Sequence, residues 1–171
     1  MAGPVVAAAV IMNPGSSLRM LVRDSKCLTE KNREKIYERL ISSEEVYIGV
    51  SMVDSMTIDL INILQATLRA MGEAVGRLTI PPACALVDGN VSPPLMCRSI
   101  PVIGGDMTEP SISAASIVAK VTRDRYMGSM EDCYPGYGFS RHKGYATKDH
   151  IEAIHRLGPC RIHRRSFKGV S

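Results

Sequence analysis

Short apolar runs alternate along this 171-residue chain with stretches whose apolar residues recur every three or four positions. That alternation restricts the fold more than any other feature, because a short apolar run suits a strand and a period near 3.6 suits a helix laid against it. Val5 to Met12 reads as a strand. Thr29-Glu30 caps a helix running to about Ile41, and Val46 to Met52 reads as a second strand. Ile61, Leu64, Leu68, Met71, Val75 and Leu78 then form the stripe of a long helix packed on a sheet. Ala83 to Val87 and Ser99 to Ile103 are two more strand-like runs. A helix is predicted from about Pro110 to Met130, with proline tolerated in its first turn, and a last one from Thr147 to about Leu157. Strands alternating with helices predict an α/β layer architecture.

The length predicts one domain, residues 1–171. No apolar run reaches the roughly 18 residues that a membrane helix needs. The opening MAGPVVAAAVIM has no basic lead-in, and it ends in the turn Asn13-Pro14-Gly15 rather than at a small-residue cleavage site, which argues against a secretion signal. Five cysteines, an odd number with no Cys-x-x-Cys pair, read as reduced thiols of a cytoplasmic protein. Zinc is disfavoured because no two cysteines stand at finger-like spacing.

Charge is placed unevenly. From Lys120 onward the chain carries 11 Lys or Arg against 5 Asp or Glu, so this third is strongly basic while the whole chain is only +4. A solvated face is one reading of that asymmetry and a polyanion such as nucleic acid is the other.

Two strand-like runs end in aspartate, Asp88 in LVDGN and Asp106 in VIGGD, 18 residues apart. Asp-Gly is also a favoured turn pair, and by itself Asp88 needs no further role. Together the two place carboxylates at the carboxyl ends of neighbouring strands, where ligands gather in open α/β sheets. Paired carboxylates without Cys or His partners favour Mg²⁺ or Mn²⁺ bound through oxygen, and such ions activate water for attack on a phosphodiester. Asp124, within Arg123-Asp124-Arg125, is either a third ligand or an ion-pair partner. In YPGYGFSRHKGY, aromatic residues interleave with Arg141, His142 and Lys143, and HRRSF adds Arg164 and Arg165 near the end. Rings with cations suit a surface that meets sugar, base and phosphate. The GxGxxG and P-loop patterns are absent, which leaves an unrelated nucleotide-dependent enzyme without support.

The segments Asp24-Ser25-Lys26, LTEKNREKIYERL, IDLINILQATLRAM, LVDGN, GGD, SISAASIVAKVTRDRYM, YPGYGFSRHKGYATKDH and HRRSF, in this order over nearly the whole chain, resemble the ribonuclease HII family. The resemblance implies a ribonuclease H-like fold, a mixed sheet flanked by helices. It implies a monomeric endonuclease that cuts the RNA strand of RNA–DNA hybrids, or cuts at ribonucleotides in duplex DNA, leaving 5′-phosphate and 3′-hydroxyl ends. It also implies Mn²⁺ or Mg²⁺ held by four carboxylates, two of which match Asp88 and Asp106. The tyrosine that senses the 2′-hydroxyl matches Tyr145, and Lys143, Arg164 and Arg165 are candidates for phosphate. In the family, an Asp-Glu-Ala-Gly-Arg-Gly segment carrying the other two carboxylates precedes the strand at Val5, in a central strand beside the one bearing Asp88. The expectation is therefore a chain lacking that first strand, with reduced stability and little or no cleavage. The rival expectation is a protein that binds hybrid without cutting it.

Overall fold

The computed structural model describes residues 1–23 and 29–170. Asp24-Ser25-Lys26 and Cys27 lie outside the described residues. The elements are β1 (Val5–Met12), α1 (Leu18–Arg23), α2 (Glu30–Ile41), β2 (Val46–Val53), α3 (Ser55–Gly76), β3 (Cys84–Asp88), β4 (Arg98–Val102), α4 (Gly105–Thr108), α5 (Pro110–Cys133), α6 (Phe139–His142) and α7 (Lys148–Leu157). The α/β class read from the alternation is what the chain adopts. Two helix starts follow from their caps: Thr29 Oγ1 accepts from Asn32 N–H, and Thr147 Oγ1 accepts from His150 N–H.

Among the described residues the strands form two ladders, β1 with β2 and β3 with β4, rather than one continuous sheet. The β3–β4 ladder is parallel, with Cys84 opposite Arg98 and Asp88 opposite Val102. Parallel strands are normally covered on both faces. Here Cys84, Leu86 and Asp88, which share one face of β3, are exposed, while Val87 on the opposite face is buried.

The chain forms two compact units. One comprises residues 7–51 and 68–121, and its core gathers Met12, Leu18, Val22, Ile36, Leu40, Ala114, Ile117, Val118 and Val121. Ser113, on the small-residue face of α5, donates from Oγ to the Val22 carbonyl at 2.6 Å. Along the second half of α3 the fully buried face is Ala70 and Ala74. Their smallness has a reason: a Cβ at Gly49 of β2 would run into the backbone of Ala74, Arg77 and Leu78, so strand and helix approach as closely as two backbones can. Ser51 then donates to Glu73 Oε2 at 2.6 Å, and Arg69 donates to Glu73 Oε1 at 2.8 Å.

The other unit comprises residues 1–6, 52–67 and 122–171, with Ala2, Met127, Tyr137, Phe139 and Ala153 at its core. Here α3 departs from the long regular helix read from the stripe. Asn62 has φ 65° and ψ 166°, and its Oδ1 accepts from Gln65 N–H, so α3 breaks and is capped anew in mid-course. Ile58 and Ala66 are buried, whereas Leu60 is 83% exposed and Leu64 is exposed as well. Around the break the apolar stripe of Ile61 and Leu64 does not mark the buried face.

Candidate active site

Asp88 closes β3, and Gly89 N–H donates to the Val102 carbonyl at 3.0 Å across the parallel ladder. After β4 the chain turns through Gly104, at φ 65°, into the short α4. A Cβ at Gly105 would press on the tip of the Ile112 side chain and on Val102, so a larger residue here would make those side chains give way. The turn so formed aims Gly105 N–H at Asp88 Oδ1, 3.0 Å away, and puts Asp106 next in the chain. Asp88 is exposed and Asp106 half-buried. The structure thus brings these two sequence-predicted carboxylates to one end of the β3–β4 ladder.

A pair of carboxylates fits a hard cation bound through oxygen. Among the described residues no group of three or more His, Cys, Asp or Glu side chains stands within reach of one metal ion. Asp88 and Asp106 are the carboxylates that could hold part of such a ligand set, of the kind Mg²⁺ completes with waters and substrate phosphate.

Tyr145 belongs to the other unit. It follows α6 through Lys143 and Gly144, both in the left-handed region, and its side chain is 53% exposed. Arg123 of α5 lies under its ring, with the guanidinium carbon 5.0 Å from the ring centroid. That guanidinium donates to the carbonyls of Ala2 at 3.1 Å, Pro4 at 3.1 Å and Lys143 at 2.9 Å. A cation with its donors committed to fixed carbonyls makes a rigid floor for an aromatic ring.

The remaining predicted cations part company. Arg165 is exposed, and its backbone N–H is held by Asp59 Oδ2 at 2.8 Å. Lys143 is half-buried at the end of α6. Arg164 does not stand out toward a phosphate. It is buried, and its guanidinium donates to the carbonyls of Gly3 at 2.9 Å and Pro4 at 3.1 Å. Burial and the Arg123 charge lower its pKa to about 10, which leaves it a cation at neutral pH that ties the Gly3–Pro4 backbone in place.

Two features escaped sequence reasoning. Asp59 accepts from the N–H groups of Arg165 and Ser166 and from Ser166 Oγ at 2.6 Å, and these bonds hold its carboxyl below the usual carboxylate range despite some burial. It anchors HRRSF from 107 residues away, a distance that no local pattern spans. The second feature is a set of three buried histidines, His142, His150 and His163, in which His150 and His163 meet at 3.1 Å through their Nε2 atoms.

The family model for ribonuclease HII matches residues 1–170. Ribonuclease HII of Geobacter metallireducens is 52% identical over 170 residues, which cover 99% of this chain and 79% of that one. The crystal structure of ribonuclease H2 from Pyrococcus horikoshii is similar with a TM-score of 0.76 and 27% identity, covering 98% of this chain and 90% of that one. Ribonuclease HII in the PCNA complex from Archaeoglobus fulgidus is similar with a TM-score of 0.79 and 25% identity, covering 99% and 89%. The chain belongs to the ribonuclease HII family, whose members are hydrolases acting as ribonucleases H on RNA–DNA hybrids.

Proposed function

We propose that this protein is an endonuclease that hydrolyses the phosphodiester on the RNA strand of RNA–DNA hybrids and at ribonucleotides embedded in duplex DNA, leaving 5′-phosphate and 3′-hydroxyl ends. It acts as a single ribonuclease H-like domain, a monomer of the cytoplasm. The observation that carries the reading is the bond from Gly105 N–H to Asp88 Oδ1, which ties the ends of β3 and β4 together with a carboxylate on each side of the bond. Asp88 and Asp106 would hold Mg²⁺ or Mn²⁺. Bound there, two such ions supply activation of a water and stabilisation of the leaving oxygen. Tyr145 offers its ring and hydroxyl to the sugar of the ribonucleotide, with Arg123 fixed behind it. Lys143 and Arg165 offer positive charge to the phosphates, and Arg164 supports them by fixing the Gly3–Pro4 backbone.

One observation favours a second reading, a hybrid-binding protein that does not cut. The described residues bring only a pair of carboxylates together, with no group of three. Such a protein would retain the basic surface, and its affinity would fall steeply with salt.

The test is incubation with duplex DNA carrying one ribonucleotide in the presence of Mn²⁺, beside Asp88→Asn and an EDTA control. Cleavage that is lost in both controls supports the nuclease. Salt-sensitive binding without product supports the binding protein. Cleavage that survives Asp88→Asn would sink the assignment of that carboxylate.

A further inference from the structure

Two of the three buried histidines, His150 and His163, form a chain of hydrogen bonds whose direction is set by groups with only one possible role. The Tyr145 carbonyl can only accept, and it lies 2.8 Å from His150 Nδ1, so His150 carries its proton there. Its bare Nε2 then accepts from His163 Nε2–H at 3.1 Å. That leaves His163 Nδ1 bare, and it accepts from Cys160 N–H at 2.9 Å, with Cys160 Sγ at 3.1 Å. His142 is ordered in the same way. Its Nε2–H donates to the Tyr137 carbonyl at 2.7 Å, and its Nδ1 accepts from Gly144 N–H at 3.1 Å. The rings of His142 and His150 stack with centroids 4.2 Å apart.

That chain exists only with both of its rings neutral, because a further proton on His150 or His163 would point one donor at another. The groups around it make a cation still less welcome: the Arg123 guanidinium on the Lys143 carbonyl, and Arg164 and Arg165 after His163. His150 also stands in the first turn of α7, where the helix dipole opposes positive charge. Asp149, its neighbour, faces Arg141 at 3.6 Å, and Cys160 is pushed toward its thiol form by burial. Burial, more than the neighbouring charges, lowers the pKa of His150 and of His163 to about 4.

Both ends of the Gly144–Tyr145 segment are thereby held by imidazoles, Gly144 N–H by His142 and the Tyr145 carbonyl by His150. We propose that His150 is a positioning residue for Tyr145, gripping the carbonyl of that residue through Nδ1–H so that the ring stays over Arg123 and faces a ribonucleotide. This inference rests on the reading of Tyr145 as the residue that meets the ribose, and it adds a group that never touches substrate.

The test compares the full chain binding two fluorescent DNA duplexes in EDTA, one with a single ribonucleotide and its all-DNA twin. The ratio of the two affinities reports 2′-hydroxyl sensing apart from general electrostatic binding. His150→Leu is expected to reduce that ratio about fivefold to tenfold, the worth of one hydrogen bond, while affinity for the all-DNA duplex holds within about twofold. His150→Asn, whose amide can replace the Nδ1–H donor, is expected to keep the ratio. Tyr145→Ala is the control for the underlying reading. If Tyr145→Ala abolishes the ratio and His150→Leu leaves it intact, the positioning role is overturned. If Tyr145→Ala leaves it intact, the ribose reading itself falls. Should His150→Leu fail to fold, ¹⁵N spectra of the unaltered protein at pH 7 decide: the Nδ1–H form of His150 with the Nε2–H form of His163 supports the relay, and the opposite pair of tautomers overturns it.

Discussion

Gly105 donates its backbone N–H to the carboxylate of Asp88 at 3.0 Å, so the residue before one candidate carboxylate is bonded to the other. Two strand ends that the ladder merely sets side by side are locked by this contact. It gives Asp88 a fixed orientation while leaving its second oxygen for a ligand.

We expect Asp88→Asn to fold like the parent protein, since the amide oxygen can still accept from Gly105 N–H. Cleavage of a ribonucleotide-containing duplex in Mn²⁺ should nonetheless fall by more than about a hundredfold, because the negative charge that holds the ion is gone. Asp106→Asn should behave alike. Circular dichroism beside a gel assay separates the two effects.

At position 105 a single methyl group meets the tip of Ile112 and the side chain of Val102. Gly105→Ala would press on Ile112 and Val102, and overpacking of this kind costs about 1–3 kcal/mol. Urea unfolding measures it, and a variant as stable as the parent would contradict the close packing described for this turn.

Asp59 holds two backbone N–H groups and one hydroxyl of the Arg165–Ser166 loop. Asp59→Ala should lower stability by about 1–3 kcal/mol and weaken binding of duplex by freeing Arg165. Its folded pKa lies below the ordinary value, so the stability it confers is present above that ordinary value and is lost as pH falls through the folded one. Anisotropy titration at several salt concentrations reads the binding effect, and a variant with unchanged affinity would refute the link to Arg165.

Acid should weaken the protein through its histidines before its carboxylates titrate. His150 and His163 stay neutral in the fold down to about pH 4, whereas in the unfolded chain they take up protons below about pH 6.5. Stability is therefore full above pH 6.5 and declines between 6.5 and 4, each histidine adding a slope that approaches about 1.4 kcal/mol per pH unit. Urea midpoints at pH 7.5 and 5 test this. Replacing His163 with a neutral residue should flatten the dependence.

Asn62 occupies a backbone region that glycine favours, with φ 65° and ψ 166°. Asn62→Gly should raise stability by up to about 1 kcal/mol, the relief of strain exceeding the few tenths lost with the Asn62 cap. A lower melting temperature would show that the cap matters more than the strain.

The alternation of apolar runs and helical stripes was enough to set the order and type of the main elements, and β1 and the start of α2 fall where their residues require. These are local properties, governed by side-chain period and by caps such as Thr29. Asp88 and Asp106 were legible for the same reason, since each ends an apolar run. What the sequence could not state is which face of α3 is buried, because that depends on Gly49 admitting a helix backbone and on Asn62 breaking the helix. Nor could it assign Arg164 to the Gly3 and Pro4 carbonyls, Asp59 to Ser166, or His150 to the Tyr145 carbonyl. Each of those choices pairs a donor with an acceptor far away in the chain or across a tight loop. Only folding, which removes water and leaves each buried polar group to find a partner, decides which one it finds.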